Sequence, residues 1–245
     1  MRAPHEGDRL AATAAPPART ALPWSLLLVL AVALLLRLGF DAARSRPPVS
    51  DQADYDRIAW TLATHGTYQD DGRPTAFRLP GYVAFIGAIY RVVGRHPGAV
   101  YAVQAALDVG TALLLFVLLR RRSARAAWIG AVLWALLPAA IAYSGLLLSE
   151  TLFAFLLVVL AAKLDRGESR SALDRFATGL LVGALILVKT PALFLLAALL
   201  LAAVAAGVGR RSIPLVAGAL LVTAPWFARN VVVLGVPTLT TSIGS

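Results

Sequence analysis

Gly81-Tyr82-Val83-Ala84-Phe85-Ile86-Gly87-Ala88-Ile89-Tyr90-Arg91-Val92-Val93-Gly94 decides how this chain threads a membrane. Tyr82, Phe85, Ile86, Ile89, Tyr90 and Val93 fall on one helical stripe. The run has about 14 residues, short of the roughly 20 needed to cross a hydrocarbon core. It closes in Arg91, Arg95 and His96, so it reads as a helix lying in the membrane interface. Parity supports this. With the N-terminus inside and this helix not spanning, Arg120-Arg121-Arg122, the Lys163 to Arg175 loop and Arg210-Arg211 all become cytoplasmic, as the positive-inside rule requires. As a full span it would put Arg120 to Arg122 outside.

The rest of the chain fits a membrane protein. Of 245 residues, 59% are apolar and the mean hydropathy is +0.75. Residues 1–21, rich in Ala, Pro and Arg, read as a disordered cytoplasmic tail. Leu22 to Phe40 is longer than a signal-peptide core and ends in Arg37-Leu38-Gly39-Phe40, so it reads as an uncleaved first span. Further spans are expected near Gly98–Leu119, Arg125–Tyr143, Leu146–Leu164, Phe176–Val188, Ala192–Gly207 and Ile213–Phe227. The run from Phe176 to Gly207 is too long for one crossing, and Lys189-Thr190-Pro191 divides it. The expected fold is all-α, a polytopic bundle of about seven spans within residues 22–245. Its long external first loop, 41–97, carries short interfacial helices. Asp51 or Ser50 starts one of these, and Gly66 ends it after His65. Asp70-Asp71-Gly72 marks a turn.

Composition excludes several chemistries. There is no Cys, which removes disulfides, thiolate catalysis and Cys-based metal sites. His5, His65 and His96 lack ligand spacing, so no metal site is expected. The net charge of +10 lies largely beside apolar runs, where it sets topology and meets anionic lipid rather than nucleic acid. No Gly-rich phosphate loop is present, so no nucleotide cofactor is expected.

Four polar clusters fall on the external side: the loop around Asp51, Ser149-Glu150, Lys189-Thr190-Pro191, and the segment after Trp226. Asp51 and Asp54 share a helical face, with Tyr55 beside them. A carboxylate there can act as a general base, and the same spacing also fits an N-terminal cap. Arg73, Arg78, Lys189 and Arg229 are cations suited to an anionic phosphate or to snorkelling toward headgroups. Lys189 interrupts an apolar run, where a charge is costly. Glu150 begins a span, where a helix N-terminus favours negative charge. Tyr55 and the other interfacial aromatics can anchor the chain or stack on a sugar or prenyl chain.

Together these stretches resemble a family. Asp51-Gln52-Ala53-Asp54-Tyr55-Asp56-Arg57-Ile58-Ala59, Thr75-Ala76-Phe77-Arg78-Leu79-Pro80-Gly81-Tyr82, Leu148-Ser149-Glu150-Thr151, and Ala224-Pro225-Trp226-Phe227-Ala228-Arg229-Asn230 with Leu239-Thr240-Thr241-Ser242-Ile243-Gly244 are similar, in order and spacing, to one group of enzymes. These are the polyprenyl-phosphate-sugar-dependent membrane glycosyltransferases of the C superfamily, family 39 type. That type includes protein O-mannosyltransferases and lipid A aminoarabinose transferases.

The resemblance implies an inverting sugar transfer at the external face of the cell membrane. Asp51 would be the catalytic base and Asp54 its reserve. Tyr55, Arg78, Glu150, Lys189 and Arg229 would bind substrate, with Arg78 and Lys189 on the lipid phosphate. The implied partners are a polyprenyl-phosphate sugar donor, a lipid, glycan or protein acceptor, and membrane lipids. Gln52 departs from the pattern, since several members carry a second acidic residue there. The family also usually continues for further spans beyond the point corresponding to Ser245, which implies C-terminal truncation. Two other readings stay open: a non-catalytic membrane scaffold, and a lipid or solute transporter. A transporter would want ionisable residues within spans and broken helices at the midplane; only the Lys189–Pro191 break offers that, and the long external loop is left unexplained.

Overall fold

The computed structural model describes residues 23–44, 47–165, 171–207 and 209–241. The expected tail, 1–21, lies outside them. Ten α-helices account for most of the described chain: α1 (Trp24–Arg44), α2 (Asp51–His65), α3 (Pro80–Val93), α4 (Pro97–Arg120), α5 (Ala124–Leu136), α6 (Pro138–Ser144), α7 (Glu150–Asp165), α8 (Ala172–Val188), α9 (Ala192–Ala205) and α10 (Ile213–Leu234). A short antiparallel hairpin, β1 (Gln69–Asp70) and β2 (Arg73–Pro74), follows α2. Its two central residues, Asp71 and Gly72, have φ of 47° and 79°, the positive values that a tight two-residue hairpin turn needs.

The all-α, polytopic fold class agrees with the sequence. Among the described residues, three helical stretches are long and apolar enough to cross a bilayer: Trp24–Ala43, Pro97–Arg120 and Gly209–Leu234. A fourth arises if α5 and α6, which meet at 53°, count as one broken span. At about 1.5 Å per residue, the 16, 17 and 14 residues of α7, α8 and α9 reach about 21–26 Å, so each crosses a hydrocarbon core of about 30 Å only with its flanking residues or by local thinning of the bilayer.

Helix ends follow local rules. α2 stops at Gly66, whose φ of 69° and N–H to Leu62 O form a left-handed C-cap. α3, α4 and α6 each begin with Pro, which has no N–H to leave unsatisfied at a first turn. The break between α5 and α6 is stitched from another helix. Pro138 has no N–H to give the carbonyl four residues back. Arg37 of α1 donates to Ala135 O at 3.0 Å and Trp134 O at 3.2 Å. The same guanidinium, 1% exposed, pairs with Asp108 of α4. The sequence reading placed ionisable residues inside spans at the Lys189–Pro191 break; the buried Arg37–Asp108 pair is a second such place.

Packing differs between the two halves. α8 and α10 meet backbone to backbone through Gly179, Gly183 and Gly218. A Cβ on Gly179 would fall 2.0 Å from Leu215 O, and one on Gly218 would fall 2.2 Å from Phe176 O. Small residues four apart are how helices approach closely where lipid removes the hydrophobic drive. α2 and α3 instead pack through large side chains, with Ile58, Tyr82, Val83 and Ile86 fully buried. Each such burial contributes about 1.5–3 kcal/mol where water is the alternative. Val93, at the end of the apolar stripe of α3, is 47% exposed, and Val83 takes an inward position. Exposed apolar side chains run along α1, α9 and α10, including Leu35, Phe194 and Val232, the surface expected of helices facing lipid.

Candidate functional site

Three separated segments are brought to one place by polar contacts between elements. Tyr82 Oη donates to Gln104 Oε1 at 2.5 Å, and Gln104 Nε2 donates to Ser144 O at 2.9 Å and Leu146 O at 2.8 Å. This buried amide fixes α3 and α4 against the turn that leads into α7. Gln52 Oε1 accepts from Leu147 N at 3.3 Å, so α2 is tied to the same turn. Gly81 leaves room for the end of α8: a Cβ there would fall 2.7 Å from Leu187 O. The start of α2, the start of α7 and the end of α8 thereby converge.

The loop carrying Arg78 is held from the far end of the chain. Thr241 N donates to Ala76 O and Thr240 Oγ1 to Phe77 O, both at 3.1 Å. Trp226 Nε1 donates to Leu239 O at 2.7 Å, and Asn230 Nδ2 donates to Thr238 O at 2.8 Å. The segment after α10 is therefore folded back over the loop between β2 and α3.

These contacts frame an open cavity of about 330 Å³ lined by Asp51, Tyr55, Phe77, Arg78, Leu79, Leu148, Ser149, Glu150, Val188, Lys189, Thr190, Pro191 and Thr240. Members of all four polar clusters named from sequence are in this wall. Arg78 donates to Asp51 Oδ1 at 2.6 Å and to Asp54 Oδ2 at 2.7 Å. Its guanidinium lies over the Phe77 and Tyr55 rings, 4.4 and 5.1 Å from their centroids. Asp54 also accepts from Arg57 at 2.9 Å, and Arg57 reaches Asp70 at 2.9 Å. Hydrogen bonding to Asp70 is the largest cause raising the Arg57 guanidinium above its ordinary range. Burial opposes the charge on Arg78, but the hydrogen bonds it donates to Asp54 and Asp51 hold it above the usual value. Burial raises the Tyr55 phenol, while nearby Arg78 pulls the other way. Across the cavity, Lys189 Nζ donates to Glu150 Oε1 at 2.8 Å.

Of the residues named from sequence, Asp51, Tyr55, Arg78, Glu150 and Lys189 line the cavity, and Asp54 holds Arg78 from behind. Asp51 is not a cap by its side chain. Ser50 is the N-cap of α2, with no side-chain cap bond and φ 52°, and the Asp51 carboxylate is turned to Arg78. Arg229 lies apart from the cavity wall. It donates to Thr75 O at 2.7 Å, Tyr68 O at 2.9 Å and Asn230 Oδ1 at 2.9 Å, and it lies 5.0 Å from the Trp226 ring centroid. Its donors tie α10 to the hairpin. The reading from sequence quoted Phe77, Ser149 and Thr240 within its motifs without naming them as site residues, and it missed Gln104 as the hub. A lone amide within the apolar run of α4 was the available signal for Gln104.

A second cavity, of about 270 Å³, adjoins the first. Its wall includes Trp134, Leu137, Tyr143, Phe153 and Ala154, with Asp108 and Thr151, and it shares Glu150 and Lys189 with the polar cavity.

The fold has a solved counterpart. The chain superposes on the crystal structure of ArnT from Cupriavidus metallidurans bound to undecaprenyl phosphate, with a TM-score of 0.68 and 19% identity. The match covers 86% of this chain and 42% of that protein. No protein-family model matches the sequence, and no curated protein matches it. The chain thus has the fold of part of a polytopic membrane protein of the ArnT kind.

Proposed function

We propose that this chain forms the donor-handling part of a membrane glycosyltransferase. It would transfer a sugar from a polyprenyl-phosphate carrier to an acceptor at the external membrane face. The observation that carries the proposal is the polar cavity, where an acid (Asp51) and two cations (Arg78, Lys189) meet beside an apolar chamber. The ArnT counterpart, bound to undecaprenyl phosphate, supports a polyprenyl-phosphate partner.

In the proposed step, the acceptor hydroxyl gives its proton to Asp51 as its oxygen bonds to the anomeric carbon. The bond from that carbon to the phosphate oxygen breaks, with inversion. Polyprenyl phosphate leaves, and Arg78 and Lys189 hold the charge that develops on it. Asp51 suits the base better than Asp54. Its side chain is 59% exposed and, among the described residues, accepts from Arg78 alone, whereas Asp54 is 20% exposed and gripped by two guanidiniums. Tyr55 offers a ring face to the sugar. Arg229 acts at one remove, by holding the hairpin and loop in place. α2 and α3 lie at the membrane surface, and the ends of α4, α7 and α8 joined by the Arg122–Asp165 and Lys163–Asp174 pairs face the cytoplasm.

The test is release of polyprenyl phosphate from polyprenyl-phosphate mannose and polyprenyl-phosphate aminoarabinose, with bacterial membrane extract as acceptor source. Asp51→Asn is expected to slow release by about 10²-fold or more, and Asp54→Asn by less. Release that survives in the double variant contradicts the proposal.

A further inference from the structure

Glu150 and Lys189 are in the walls of both cavities. Both cations of the polar wall already have carboxylate partners: Arg78 has Asp51 and Asp54, and Lys189 has Glu150. An anionic headgroup arriving there must displace one of these carboxylates, and the two pairs are not equally easy to open. Arg78 is 15% exposed, bridges two acids and lies over two rings. Lys189 has one acid, and the two side chains are 37% and 31% exposed. The released Glu150 would keep a favourable place, because it is the first residue of α7, where the amide dipoles favour negative charge. Beside it, Thr151 Oγ1 is buried without a partner, and Thr151 lines the apolar cavity.

From this geometry, and resting on the polyprenyl-phosphate reading above, we infer that Glu150 is a displaceable counter-ion rather than a substrate ligand. Without ligand it holds Lys189 at the boundary of the two cavities. When an anionic amphiphile places the headgroup-proximal end of its chain in the apolar chamber, its phosphate takes Lys189 from Glu150 and accepts a hydrogen bond from Thr151 Oγ1. Glu150 therefore sets donor affinity by competing for Lys189.

The consequence is a sign that a ligand role would reverse: removing the Glu150 charge should tighten binding. The test measures binding of undecaprenyl monophosphate to the full chain in detergent. Inorganic phosphate, undecaprenol and phosphatidylglycerol serve as controls. Glu150→Gln is expected to bind about two- to fivefold more tightly than wild type, the range of a part-exposed ion pair. Lys189→Ala is expected to bind about tenfold or more weakly. In the Lys189→Ala background, Glu150→Gln should change nothing, which separates competition from a general effect on folding. Glu150→Ala, which should also tighten binding, stands in if Glu150→Gln fails to fold. Saturable wild-type binding that Glu150→Gln weakens or leaves unchanged overturns the inference and spares the polyprenyl-phosphate reading. Equal binding of inorganic phosphate shows that the apolar chamber takes no part, and overturns it too. No saturable wild-type binding overturns the reading and the inference together.

Discussion

Arg78 does several things at once, and its chemistry explains why a lysine would not replace it. A planar guanidinium can bridge Asp51 and Asp54 while lying over Tyr55 and Phe77; an ammonium is a compact point charge with no flat face. Arg78→Lys is therefore expected to lose at least one charge-assisted bond and about 1.5–3 kcal/mol. Thermal unfolding in detergent would show this as a lowered midpoint, and donor affinity should fall with it. Arg229→Ala should behave differently. It removes three hydrogen bonds to Thr75, Tyr68 and Asn230, so its stability cost is of similar size. Donor affinity should fall less than stability does, because Arg229 is apart from the cavity wall. A binding assay on folded protein separates the two variants. The acids and cations of this site were legible in sequence because charges are conspicuous among apolar runs. For Arg229, sequence shows that a cation is present, but not that it donates to the backbone carbonyls of Thr75 and Tyr68 beside a distant hairpin.

At the scale of elements, two devices hold the frame. The first is the Arg37–Asp108 pair with its stitched helix break. Arg37→Met leaves a buried carboxylate without its partner and should cost about 3–5 kcal/mol. Arg37→Met with Asp108→Leu removes both charges and should recover much of that loss in the same unfolding measurement. The second is the close contact of α8 and α10. Gly218→Val forces apart backbones that meet where its Cβ would go, and a cost of about 1–3 kcal/mol or more is expected.

Most helices could be read from apolar runs punctuated by Pro, Gly and charge. The stop of α2 at Gly66 and the turn between α8 and α9 at Lys189–Pro191 are cases where local rules suffice. Helix length is harder to read than composition: α9 is apolar throughout but only 14 residues long. The Arg37–Asp108 pairing could not be read at all, since it joins positions 71 residues apart whose meeting depends on how α1 and α4 pack.

For the whole molecule, the fold collects the polar clusters at one end and leaves paired charges at the other. Since the chain has no Cys, single cysteines can report sidedness on a clean background. Asp71 and Arg122 have side chains 82% and 76% exposed and lie at opposite ends. Asp71→Cys should react with a membrane-impermeant maleimide in intact cells, and Arg122→Cys only after permeabilisation. The reverse pattern would invert the orientation.

The central claim is that the polar and apolar cavities together form one donor site, and photo-crosslinking tests it most directly. An undecaprenyl phosphate carrying a diazirine near its phosphate would be irradiated with the full chain and its attachment sites mapped by mass spectrometry. If the claim holds, adducts concentrate on Leu148–Thr151 and Val188–Pro191, and excess unlabelled undecaprenyl phosphate suppresses them. Adducts scattered over the exposed apolar faces of α1, α9 and α10, insensitive to competitor, would contradict it.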